Sequence, residues 1–106
     1  MRASKENKSG KSQRPIMVLL DLLGRRWVLR ILWELRDGPL TSRALRRACD
    51  EISPSVLQKR VNEMREADFV RLEEGGGYSL TPRGRDLLET FGPLTKWAED
   101  WQKSLR

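Results

Sequence analysis

The chain has 106 residues, of which 38% are apolar and 34% charged, so one modest core plus tails is expected and a second domain is not. No apolar run approaches the roughly 20 residues of a membrane span, and the charged opening stretch has no apolar segment of the kind a secretory leader needs. With no histidine and the single Cys49, one chain builds neither an internal disulfide nor the usual zinc sites; no cofactor is expected, and a reducing cytoplasm suits the composition.

The net charge of +6 is unevenly spread. Arg2, Lys5, Lys8, Lys11 and Arg14 against Glu6 put +4 in residues 1–14, whereas residues 67–106 sum to −1. Residues 1–14 therefore read as a basic, disordered tail, able either to track phosphates or simply to stay solvated. Pro15 opens a first helix through Ile16, Leu19, Leu20 and Leu23, ended by Gly24. A second helix carries Val28, Ile31, Leu32 and Leu35 on one side and stops at Asp37-Gly38-Pro39. Thr41 or Ser42 caps a short third helix with Ala44, Leu45 and Ala48 inward and Arg43, Arg46 and Arg47 near the surface.

After the turn Cys49-Asp50-Glu51 comes the most informative segment, Ile52 to Glu66. Ser53 is a good N-cap and Pro54 fits the first helical position. At about 100° per residue, Leu57, Val61 and Met64 form one stripe, with Ser55, Lys59 and Asn62 roughly opposite and Gln58 on the flank. Such a helix can lay its back on a core and offer its front to a DNA major groove. Taken alone, it is more readily an ordinary amphipathic surface helix. Two helices joined by a short turn form a helix-turn-helix.

Phe69-Val70-Arg71-Leu72 then has strand character, Glu73 to Gly77 is a glycine-rich turn, and Tyr78-Ser79-Leu80 is the returning strand. Thr81-Pro82 caps the last helix. Its apolar positions Leu87, Phe91, Leu94, Ala98, Trp101 and Leu105 follow a heptad-like step, widened by Leu88 and Trp97. Gly92-Pro93 lies inside that pattern, so a kink or break is expected there. An enzyme is disfavoured: histidine is absent, the thiol has no evident base, and Gly75 to Gly77 join strand to strand, not strand to helix as in a phosphate loop.

In this order and spacing, Leu23-Gly24-Arg25-Arg26-Trp27, Gly38-Pro39-Leu40 with Ala44-Leu45-Arg46-Arg47, Ile52-Ser53-Pro54 with Val56-Leu57, Arg60-Val61 and Glu63-Met64, Tyr78-Ser79-Leu80-Thr81-Pro82-Arg83-Gly84, and Trp97-Ala98-Glu99 together resemble an HxlR-type winged helix-turn-helix transcriptional regulator of the MarR-like group. The resemblance runs from about Arg14 to Asp100. It implies a mainly α fold with a small β-hairpin, ordered α-α-α-α(recognition)-β-β-α over residues 15–106. It also implies a homodimer on a pseudo-palindromic operator in double-stranded DNA, with the first and last helices at the interface. Ile16, Leu19, Leu20, Leu23, Leu87, Phe91, Leu94, Trp97, Trp101 and Leu105 are the expected dimer residues, though large aromatics can also complete a monomer's core.

On this reading Ser53, Ser55, Gln58, Lys59 and Asn62 face the groove, Val56 is available to a thymine methyl, Arg43, Arg46 and Arg60 hold phosphates, and Thr41 and Ser42 add neutral backbone contacts. The chain departs from the family in three places. Arg14 stands where a sensing cysteine is common, leaving Cys49 as a small, partly buried filler by expectation. The wing is short and carries Glu73 and Glu74, which phosphate repels. The aromatic expected at Ser42 and the glycine expected at Asp68 are missing. A cleft at the dimer interface near Trp27, Trp33 or Trp97 would suit an aromatic or lipophilic small-molecule effector, although tryptophans at helical spacing more often serve a core. The alternative to DNA reading is a winged-helix protein-interaction module, with the acidic wing and the last helix as contacts.

Overall fold

A computed structural model describes residues 14–105, ordered α1 (Pro15–Leu23), α2 (Val28–Glu34), α3 (Ser42–Ala48), α4 (Pro54–Glu66), β1 (Val70–Leu72), β2 (Tyr78–Leu80) and α5 (Pro82–Ser104). Apart from Arg14, the basic tail lies outside the described residues. The element order is that of a winged helix-turn-helix, as the sequence implies. No helix among the described residues is long and apolar enough to cross a membrane.

The helix starts are set by local chemistry. Thr41, Ser53 and Thr81 are extended N-cap residues, and each side-chain oxygen accepts from the backbone N–H three residues on, at Ala44, Val56 and Gly84. Each cap satisfies one of the donors that a helix start leaves without an internal partner. Pro15, Pro54 and Pro82 occupy the position where a missing N–H is harmless. The turn between α3 and α4 is tighter than its sequence announces, because Asp50 and Glu51 both adopt left-handed backbone, φ 59° and 60°. Glu51 N–H donates to Arg46 O at 2.8 Å, and Arg46 Nε donates to Ile52 O at 2.8 Å, which closes the turn.

The core collects one face of each element: Val28, Ile31, Leu32 and Leu35 from α2, Leu45 and Cys49 from α3 and its cap, Leu57, Val61 and Met64 from α4, and Val70 and Leu80 from the hairpin. These are the positions that helical and strand periodicity select. The two strands pair antiparallel with Val70 opposite Leu80 and Leu72 opposite Tyr78. Leu40 adds an isolated bridge to Tyr78, with bonds of 3.0 and 2.8 Å, tying the wing to the entrance of α3. Two glycines permit close approach: a Cβ on Gly77 would lie 2.9 Å from Leu40 O, and one on Gly84 only 2.1 Å from Phe69 O.

Three expectations change. Leu23, placed at a dimer interface by the resemblance, is 5% exposed and belongs to the monomer's core. Leu19, Leu87 and Phe91 are half-buried against that core, so only part of each is open to a partner. Of the kink or break expected at Gly92-Pro93, the break does not occur: α5 is one helix from Pro82 to Ser104 with Pro93 inside it. Thr90 and Thr95 hydroxyls donate to Asp86 O and Phe91 O nearby, and the segment is solvent-exposed, so water can satisfy the carbonyl that loses its amide partner.

Candidate nucleic-acid interface

The buried stripe of α4 fixes which way the rest of the helix points. With Leu57, Val61 and Met64 inside, Ser55, Gln58, Lys59 and Asn62 are all exposed. Ser55 and Lys59 have no hydrogen-bond or ion-pair partner among the described residues, whereas Gln58 Nε2 donates to Asn62 Oδ1 at 2.9 Å. Ser53 and Val56 are exposed at the N-terminal end of the same helix. The Ser53 and Thr41 oxygens accept cap bonds, which leaves each hydroxyl proton able to donate outward. Ser42 and Arg43 are exposed on the first turn of α3, and Arg43 has no partner among the described residues.

Arg46 and Arg60 are placed differently from the phosphate-holding role their charge invited. Arg46 is half-buried and spends its Nε on Ile52 O, with Glu51 at 4.0 Å from Nη2. Arg60 lies beside the buried stripe, not on the outward face: its side chain is 19% exposed and Nη1 sits 2.9 Å from Glu63 Oε1. Glu63 also receives Arg25 Nη1 at 3.2 Å, and Arg25 in turn meets Asp21 at 3.3 Å, so these charges bind α4 to the α1–α2 junction. The Arg60 Nε is buried without a partner. A cation so engaged would have to break protein contacts to reach a phosphate.

Other cations are more accessible than the sequence reading recognised. Arg47 is exposed without a partner among the described residues, and Arg65 sits seven residues after Gln58, two turns on along the same flank. A groove between the C-terminal half of α4 and β1 is lined by Asn62, Arg65, Val70, Arg71, Leu72 and Thr81, with the carboxylates Glu66 and Asp68 among them. The i, i+7 spacing of Gln58 and Arg65 was a usable signal. The Arg71 position was not legible, since it depends on how the hairpin folds back on α4.

The wing is less acidic in effect than in composition. The Glu73 carboxylate accepts from the Ser79 hydroxyl and, at 3.4 Å, from Arg71 Nε. The Ser79 bond, aided by Arg71, holds Glu73 below the usual carboxylate range. Its charge is thus shared within the hairpin, and of the wing's two glutamates it is Glu74 that has no partner among the described residues.

Elsewhere, Cys49 is fully buried, and burial pushes its thiol up, against the nearby Arg30 guanidinium. Arg30 is itself held up chiefly by its bond to Glu34 and reaches Ala48 O at 2.6 Å, stapling α2 to the end of α3. The three tryptophans expected near an effector cleft are engaged separately. Arg26 lies over half-buried Trp27, Arg36 lies 4.0 Å over exposed Trp33, and Trp97 stacks on Trp101 at 6.3 Å between ring centroids. Trp97 and Trp101 are 62% and 52% exposed and continue an apolar row with Leu94 and Leu105; on α1, Ile16, Met17, Val18 and Leu20 are likewise about half exposed.

The sequence of residues 22–106 matches the family model described as HxlR-like helix-turn-helix. The chain is 30% identical over 92 residues to the uncharacterized HTH-type transcriptional regulator YvaP of Bacillus subtilis, covering 77% of this chain and 82% of that protein. It is similar in structure to the quinone-bound form of YodB from B. subtilis, with a TM-score of 0.77 and 28% identity, across 82% of this chain and 97% of the other. A regulator of the MarR family from Enterococcus faecalis aligns with a TM-score of 0.78 and 28% identity, across 93% and 96% of the two chains.

Proposed function

The chain belongs to the HxlR-like helix-turn-helix family and is a transcriptional regulator of the helix-turn-helix type, and from that premise we propose that it binds a pseudo-palindromic operator as a homodimer, one α4 per half-site. The observation that carries this reading is the outward face of α4. Ser55, Gln58, Lys59 and Asn62 are exposed together on a helix whose opposite stripe is wholly buried. All four side-chain types can bond base edges or phosphates.

Around that face the exposed Arg43, Arg47, Arg65 and Arg71 supply the phosphate contacts, and Thr41, Ser42 and Ser53 supply neutral ones. Arg46 and Arg60 are left to hold the fold. The dimer uses the apolar surface that the monomer does not cover, namely Ile16 and Leu20 of α1 with Leu94, Trp97 and Trp101 of α5 and its C-cap Leu105. Contiguous exposed aromatics of this kind mark association sites. Two recognition helices then meet successive major grooves about 34–36 Å apart.

Selection of bound fragments from a random DNA library by the purified protein tests the proposal. Recurrent inverted half-sites spaced by one helical turn are expected. Salt-sensitive binding with no recurrent sequence would overturn operator recognition, and no binding at micromolar protein would favour a protein-interaction role for the same surfaces.

A further inference from the structure

The hairpin makes a side-chain contact with the recognition helix at Tyr78. This residue is 7% exposed and fixed on two sides, by pairing with Leu72 in the wing and by the double bridge to Leu40 at the start of the helix-turn-helix. Its hydroxyl donates to Gln58 Oε1 at 3.4 Å, and Gln58 Nε2 donates to Asn62 Oδ1 at 2.9 Å. Tyr78, Gln58 and Asn62 therefore form a directed chain that begins in the buried wing and ends on the outward face of α4.

Direction matters here because an amide has one acceptor and one donor end. With Gln58 Oε1 spending one lone pair inward on Tyr78, its NH2 group is turned toward Asn62, whose oxygen gives one of its two lone pairs to that bond. One proton of Gln58 and both amide protons of Asn62 remain available to a ligand. We propose that Tyr78 is a positioning residue for base recognition, holding the Gln58–Asn62 pair as a row of outward hydrogen-bond donors. This rests on the DNA-reading function proposed above.

A donor row matches a base edge that offers only acceptors. In the major groove that edge is guanine, through N7 and O6, whereas adenine presents an acceptor beside a donor. A glutamine free to rotate satisfies adenine with its oxygen and nitrogen together. The wild-type pair thus reads guanine at one position of each half-site, and loss of the Tyr78 hydroxyl admits adenine there. Tyr78→Phe keeps the ring that fills the core and removes only the donor.

The test is parallel DNA selection with the wild type, Tyr78→Phe, Gln58→Ala and the double variant, with thermal unfolding as a control on folding. The expected result is guanine at one base pair per half-site for the wild type. Discrimination against adenine there falls on the order of tenfold in Tyr78→Phe, and the tyrosine change adds nothing in the Gln58→Ala background. An identical selected sequence for wild type and Tyr78→Phe overturns the role of Tyr78 while leaving operator recognition standing. A wild type that selects no sequence overturns both. Should Tyr78→Phe fail to fold, the exposed sites decide: Gln58→Ala and Asn62→Ala must alter the same base pair, and alteration of different pairs or of none refutes the coupled readout.

Discussion

The contrast between Lys59 and Arg60, adjacent in sequence, gives the sharpest test of which cations meet DNA. Lys59 is exposed without a partner among the described residues; if on the proposed DNA-facing surface it meets a phosphate, Lys59→Met removes one such contact from each protomer. At about 0.9 in slope per contact, the log–log dependence of the dimer's affinity on salt becomes shallower by roughly 1.8. Arg60→Met is expected to leave that slope unchanged. Its effect on stability is also small, for a reason visible in the structure. The lost bond to Glu63, 2.9 Å long, is worth about 1.5–3 kcal/mol. Relief of the buried, partnerless Nε returns about 1–3 kcal/mol, and methionine preserves most of the packing. Glu63 keeps Arg25 at 3.2 Å. The net change in unfolding free energy is the difference of those two terms and should therefore stay within about 2 kcal/mol of zero. Fluorescence anisotropy on a selected operator between about 50 and 200 mM salt, with urea melts of each variant, reads both quantities. If Arg60→Met flattened the salt dependence as much as Lys59→Met, the division between structural and DNA-facing cations would be wrong.

Trp101→Ala should leave the monomer's fold intact and weaken dimerisation by roughly 30-fold or more, the size of an interface hot spot; light scattering on a size-exclusion column shows it, and an undiminished dimer would discard the α5 interface. Leu23→Ala should instead lower unfolding free energy by about 2–5 kcal/mol in a urea melt, with a stability within error of wild type contradicting its core placement. Gly84→Ala forces a Cβ to 2.1 Å from the Phe69 carbonyl oxygen, a backbone atom that cannot swing aside; a loss of about 1–3 kcal/mol or more is expected, and a neutral thermal melt would be inconsistent with that approach. Because burial raises the Cys49 thiol in the folded state, its contribution is complete below the ordinary thiol value near 9.0 and is lost as pH rises from there through the folded-state value. Melting temperature should accordingly decline with pH in that alkaline window, and Cys49→Ala should lessen the decline; an identical slope in the variant would show that other groups cause it.

The family departure at Asp68 illustrates how far the chain can be read without coordinates. The resemblance implies a glycine there, and the structure supplies the reason: the exit from α4 turns left-handed, with Asp68 at φ 66°. Aspartate is among the side chains that tolerate this region, and its carbonyl accepts from Thr81 Oγ1 at 2.6 Å while its carboxylate meets Arg83 at 3.3 Å. The need for an unusual backbone was thus implicit in the sequence pattern, but the contacts that support aspartate there come from residues 13 and 15 positions later.

What the sequence determined by itself is local or periodic. The caps at Thr41, Ser53 and Thr81 act within three residues, and the stripe of Leu57, Val61 and Met64 follows from 3.6 residues per turn, so the elements and the inward face of α4 needed no third dimension. Periodicity names a face but not what lies against it. Leu23 and Trp101 both satisfy an apolar helical pattern, yet one meets α2 and the core while the other meets solvent, a distinction made by where the helices cross and end. Charge is still less local: whether an arginine is free depends on carboxylates and carbonyls brought from other elements, as Glu63 is brought to Arg25 and the Ile52 carbonyl to Arg46. The tertiary structure alone decided those partnerships, and with them the junction of Tyr78 and Gln58, because each joins atoms that the chain separates and only packing reunites.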